Sequence, residues 1–171
     1  MPTPWTYPTI VTQHAEVDQH ISWDESKFHC IKNADGQYLP TTKELIHIAN
    51  PTVNDIKNKT NYLFLKGFNF VNLPTTISGI EAEICINRGG RISDETVQLM
   101  YNGTFISDNT ADYSLDITKI YGSPTSIWGE SNITNIMLAD PEFGIGVRYQ
   151  SHPSWPHRES PKLDYIRLRV W

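Results

Sequence analysis

The sequence lacks what a membrane protein, a nucleic-acid binder or a disulfide-stapled domain needs. No apolar run approaches the ~20 residues of a membrane-spanning helix. No basic run occurs either. Arg167 and Arg169 are scattered in a chain of formal charge −5, which argues against phosphate binding. We therefore expect neither nucleic acid nor membrane as a partner. Cysteine is scarce, with only Cys30 and Cys85. A disulfide framework needs more, so two buried free thiols are expected and a single bridge stays open. The N-terminal stretch "MPTPWTYPTIVTQHAEVDQH" has no basic start followed by an apolar core, so no secretory leader is expected there. The sequons at Asn58, Asn102 and Asn132 then read as chance matches. Long amphipathic helices and internal repeats are missing too.

What is present is a pattern of short strands. The 171 residues suit one domain, and a chain of this size buries roughly two-thirds of its surface. Residues 1–57 are irregular, broken by Pro2, Pro4, Pro8 and Pro40. They carry Trp5, Tyr7, Trp23 and Phe28, and disordered tails are poor in aromatics. We read them as an extended N-terminal arm or as leading strands packed on a later core. "IKNADGQYL" reads as a hairpin around Asp35-Gly36, and "TTKELIHIAN" leans to strand.

Residues 58–171 form the best-patterned core. "GIEAEICINR" sets Ile80, Ala82, Ile84 and Ile86 on one face and Glu81, Glu83 and Cys85 on the other. That alternation marks a half-buried strand. "ETVQLMYNG" repeats it with Val97, Leu99 and Tyr101, and "LDYIRLRVW" repeats it with Ile166, Leu168 and Val170 against Arg167 and Arg169. Between the first two ladders, Arg88-Gly89-Gly90-Arg91 reads as a corner joining two antiparallel strands. "SNITNIMLADPEFG" is the helix candidate, with Ser131 as its cap and Pro141 as its stop. The expected fold is all-β: an antiparallel, jelly-roll-like β-sandwich with an extended N-terminal arm.

Seven pieces, in order, carry a resemblance: Tyr62–Phe70, Ile77–Arg88, Asp94–Leu99, Tyr121–Gly122, Trp128–Gly129, Phe143–Gly146 and Asp164–Val170. Together they resemble a β-sandwich module of bacteriophage virion proteins, close to jelly-roll and galactose-binding-like sandwiches. The match spans about two-thirds of the chain. It implies a capsid, tail or fibre accessory protein, made in a host cytoplasm and located in the virion. The N-terminal third aligns only at Trp23 and "NADGQY". Several of these residues also have plain structural readings. Gly67 suggests a bulge or close backbone approach, and Trp128 a buried indole at one end of the sandwich. Asp94 and Asp164 suggest acceptors for free backbone donors near a loop.

Catalytic constellations are lacking. There is no Gly-x-Ser-x-Gly elbow. Cys30 follows His29 directly, and neighbours in a strand point to opposite faces. Glu81 and Glu83 share one strand face as a glycosidase pair would, but a solvated outer face explains them, and Asp108 and Asp112 are weaker still. His20, His29, Cys30, His152 and His157 lack zinc-site spacing. The resemblance to galactose-binding-like sandwiches implies at most a structural calcium in a loop, for which Asp35 is the one candidate position. No enzyme activity, cofactor or metal is expected.

The expected function is structural: capsid decoration or a tail or neck accessory role, through contacts to major capsid or tail proteins of the same virion, in a homo-oligomer. The anchoring side chains would be Trp5, Tyr7, Trp23 and Phe28. Trp155, in the Pro-rich "SHPSWPHRESP", either covers the core or contacts a subunit or glycan. The alternative is a carbohydrate-recognising module with Trp155 or Tyr121 as its platform.

Overall fold

A computed structural model describes residues 1–16, 20–47, 58–87, 91–113, 116–151 and 157–171. The strands are β1 (Ile10–His14), β2 (Leu39–Pro40), β3 (Leu45–His47), β4 (Tyr62–Lys66), β5 (Ile80–Asn87) and β6 (Ile92–Tyr101). They continue with β7 (Thr104–Phe105), β8 (Thr118–Gly122), β9 (Gly144–Ser151), β10 (His157–Glu159) and β11 (Lys162–Val170). A 3-10 helix covers Glu25–Lys32, and a short helix α1 covers Asn135–Ala139.

Two antiparallel sheets pack face to face as a β-sandwich. One has the order β1-β4-β9-β6-β7, the other β2-β11-β5-β8, and β10 pairs with β3 as a separate ribbon. The core between them is the set that the alternation marks. Ile80, Ala82, Ile84 and Ile86 of β5 and Ile166, Leu168 and Val170 of β11 meet Leu63, Leu65, Val97, Leu99, Ile145, Val147 and Tyr149 in one buried cluster. Burial of these apolar surfaces supplies the main driving force of the fold.

The ladders on either side of Gly89-Gly90 do not pair. β5 lies between β11 and β8, whereas β6 lies between β9 and β7. The chain changes sheets between Asn87 and Ile92, because both ladders have apolar inner faces and these bury each other best from opposite sheets. Arg88, Gly89 and Gly90 fall outside the described residues.

The described part of residues 1–57 packs onto the body. Residues 3–6 run along the edge of β11, with the Thr3 N–H bonded to the Val170 carbonyl at 2.8 Å and the Thr6 N–H to the Leu168 carbonyl at 2.8 Å. The chain then crosses to the other sheet as β1, beside β4. Gly67 makes that crossing possible. Its φ is +69°, and a Cβ there would collide with Thr9 Oγ1.

Three local expectations are corrected. "IKNADGQYL" is not a hairpin. The chain leaves the 3-10 helix at Lys32, turns at Gly36 and enters β2, which pairs with distant β11. Helix α1 is capped by Thr134, whose hydroxyl accepts from the Met137 N–H at 3.2 Å; Ser131 lies upstream. His29 and Cys30 are helical, so strand alternation does not separate them, and Nε2 lies 3.6 Å from Sγ. Both cysteines are free thiols, with Cys30 buried and Cys85 half-buried. A thiol buried like Cys30 is chemically inert.

Candidate interaction surface

The outer face of the four-stranded sheet is built by alternation. With Ile80 to Ile86 turned inward, β5 presents Glu81, Glu83 and Cys85 outward, and β11 sets Arg169, Arg167 and Tyr165 directly opposite them. Each arginine closes on the acid across from it. Arg169 Nε donates to Glu81 Oε2 at 2.5 Å, and Trp171 Nε1 donates to the same oxygen at 2.6 Å. Glu83 Oε1 accepts from Arg167 Nε at 3.1 Å and Nη2 at 2.8 Å, and from the Tyr165 hydroxyl at 2.7 Å.

The N-terminal segment lays aromatic rings on these pairs. The Trp5 ring is stacked by Arg167 at 4.9 Å and Arg169 at 4.3 Å from its centroid. Arg169 also lies over Trp171 at 4.9 Å. Tyr7 meets Tyr165 edge-on at 6.2 Å, and its hydroxyl accepts from Arg167 Nη1 at 3.4 Å. Burial, and then the bond to Glu83, push the Tyr165 hydroxyl pKa up. The result is a charge-paired surface of half-buried rings. It suits stacking and hydrogen bonding, and neither carboxylate stands free as an acid–base pair would require.

The outer face of the five-stranded sheet carries a second cluster. A bulge between Asp94 and Thr96 leaves Glu95 without a register partner in β9 and aims it at Arg148. Arg148 grips it through Nε at 2.6 Å and Nη2 at 2.9 Å, reaches Glu16 at 2.5 Å and stacks on Tyr62 at 4.1 Å. Lys59 adds a bond to Glu95 at 3.0 Å. Burial alone would raise the Glu95 pKa. The bonds from Arg148, Thr96 and Lys59 outweigh it and bring the pKa down to about 2. Beside this cluster, His14, Phe64 and Tyr62 form a row of near-parallel rings, and Phe105 packs edge-on against Tyr62 and Phe64. Gly146 makes room for Phe105, since a Cβ there would strike the ring.

Of the residues singled out in the sequence, Trp5 and Tyr7 come together on one face. Trp23 does not join them. It is 1% exposed within the chain's own core, with Nε1 bonded to the Asn61 carbonyl at 3.1 Å, and offers a partner no surface. Phe28 sits on the 3-10 helix, half-buried against the core. Trp155 lies outside the described residues. Tyr121 is 3% exposed, so it forms no glycan platform. Asp35 uses its carboxylate on the Asn33 side chain and the Gln37 N–H, as a turn residue does. Among the described residues no cluster of three or more His, Cys, Asp or Glu is placed to hold a metal ion.

Asp94 and Asp164 act as backbone acceptors, from the Asp112 N–H at 2.9 Å and the Gly36 N–H at 3.2 Å. Both sit at strand bulges. Sequence reasoning missed Arg167, Arg169 and Trp171 as parts of the surface. The alternation that set the arginines outward was visible, but the cross-strand register that pairs them with Glu83 and Glu81 was not.

Comparison with known proteins returns no match among family models, curated proteins or solved structures.

Proposed function

We propose that this protein is a non-enzymatic structural component of a bacteriophage virion, a capsid decoration or a tail or neck accessory protein acting through protein contacts. The virion setting rests on the resemblance in the sequence. The contact role rests on one structural observation: Trp5, Tyr7, Tyr165, Trp171, Arg167 and Arg169 are gathered on a single outer sheet face. Outward positions of a solvated antiparallel sheet are normally polar. Tryptophan, tyrosine and arginine are the residues that dominate interface energetics. The partners are the major capsid or tail proteins of the same particle. The test is whether particles carry the chain, and whether the double variant W5A/Y7A still folds but is left out of them.

A second reading, neutral-saccharide recognition, is favoured by the row of rings His14, Phe64 and Tyr62. Retention on a polysaccharide gel that disappears in Phe64→Ala supports it. Absence of retention on any gel in a broad panel rejects it.

A further inference from the structure

β8 ends the four-stranded sheet, and among the described residues no strand pairs with its outer side. The opposite side of that sheet is guarded by proline, with Pro2, Pro4 and Pro8 in the leading segment and Pro40 closing β2. Proline removes ladder donors and is a standard protection of sheet edges. In the other sheet, β7 is only two residues long, and β1 exposes a single large apolar side chain, Ile10. β8 has none of these protections. Ile120, at its centre, is 46% exposed, and Ile117, just before it, is 63% exposed. Its one charge, Lys119, is paired with Asp112 and lies over the Tyr121 ring, so it repels little.

The backbone of this edge is ordered for pairing. Lys119 opposes Ile84 and Tyr121 opposes Ala82 in the register with β5, and the Ile86 N–H bonds to the Ile117 carbonyl at 2.7 Å. Bonded and non-bonded pairs alternate along an antiparallel ladder. Residues 117, 119 and 121 therefore turn their backbone groups to β5, and Thr118 and Ile120 turn theirs outward.

We propose that β8 pairs with β8 of a second copy of this chain, antiparallel, about a two-fold axis through Ile120. The register is self-complementary. Ile120 meets its own symmetry mate and exchanges both backbone bonds with it, and the two exposed side chains cover each other. Thr118 meets Gly122, which places no side chain against it; the space on its Cβ side is filled by the Ile80 carbonyl and the Trp128 indole of the same chain. Lys119 falls opposite Tyr121 and not opposite a second lysine, which avoids like-charge repulsion across the pair. The two four-stranded sheets become one continuous sheet, and the Trp5 faces of both copies lie on it. This extends the contact-making reading to the chain's own copy, but self-association is measured on the purified chain and stands or falls apart from particle binding.

The test is sedimentation equilibrium of the wild type, I120K, I120E and an equimolar mixture of the two variants. The wild type is expected to dimerise. Each variant alone is expected to be monomeric with an unchanged circular dichroism spectrum, and the mixture to recover the dimer, because only a two-fold contact sets lysine against glutamate. As a readout without substitutions, the Ile120 amide of the wild type is expected to gain hydrogen-exchange protection as concentration rises. A wild type that stays monomeric, variants that dimerise as it does, a mixture that stays monomeric, or an Ile120 amide insensitive to concentration overturns the proposal.

Discussion

Arg169 and Glu81 face each other across the β11–β5 ladder, and the guanidinium that holds the carboxylate at 2.5 Å also stacks on Trp5 at 4.3 Å. One side chain thus ties together the N-terminal segment that runs along the edge of β11, the inner strand β5 and the last strand β11. Glu81 is nearly buried, with 8% of its side chain exposed, so the pair must stay intact: an unpaired carboxylate there carries a desolvation cost. Trp5 covers the guanidinium of the pair and leaves part of its own ring at the surface.

Trp5→Ala is expected to cost about 1–2 kcal/mol in urea unfolding, from two partly exposed cation–π contacts and lost apolar area. In the Arg169→Lys background the same substitution is expected to cost less, because lysine lacks the planar group that stacks on the indole. Equal costs in both backgrounds mean that Trp5 and Arg169 are not coupled.

Deleting residues 1–16 is expected to lower the melting temperature sharply or to leave the protein insoluble. The deletion strips β1 from β4 and bares the edge of β11, and an uncovered edge is a template for aggregation. Deleting 1–30 removes buried Ile21, Trp23 and Cys30 as well, so it cannot serve as a clean test of particle binding. A melting temperature unchanged on removal of 1–16 contradicts the packing described.

Glu95 gives the stability a defined acid limb. Its pKa is held at about 2 in the fold against 4.5 as the ordinary value. A carboxylate with a depressed folded pKa stabilises fully above its unfolded pKa and loses that contribution as pH falls through the folded one. The window is therefore pH 4.5 down to about 2, and the loss is about 3 kcal/mol. In urea unfolding at pH 7 and pH 3, Glu95→Gln is expected to be less stable than the wild type at the higher pH, with the gap narrowing at the lower. A gap that does not change with pH removes Glu95 from the account.

Trp23→Ala is expected to cost about 3–5 kcal/mol, the range for emptying a large aromatic from a core. Besides its cavity, it orphans the Asn61 carbonyl that Nε1 satisfies. Urea unfolding checks it. A cost near that of a surface substitution contradicts the buried placement of the indole.

The strands of the core were readable because period-2 alternation is local: Ile80 to Ile86 and Ile166 to Val170 announce their inner faces without reference to any partner. Which strand sits beside which is not local, and the pairing of β5 with β11 and β8, not with β6, had no sequence signal at Gly89-Gly90. The same limit applies to the surface. Trp5 and Tyr7 stood out as aromatics in an irregular stretch, but Trp23 looked the same and is core. The difference is in distant partners: the Trp23 indole bonds the Asn61 carbonyl at 3.1 Å and meets the Tyr149 ring edge-on at 5.9 Å inside the core. The bulge that delivers Glu95 to Arg148 left no mark in the sequence beyond a slip in the alternation at Asp94.

The central claim, that this chain works by contact through its Trp5 face within a virion, is tested most directly by counting copies of the chain in purified phage particles by quantitative mass spectrometry. The account predicts a fixed copy number per particle for the wild type and near absence of W5A/Y7A, with that variant folded in the same lysate. Particles without the wild-type chain, or with the folded variant at full copy number, contradict it.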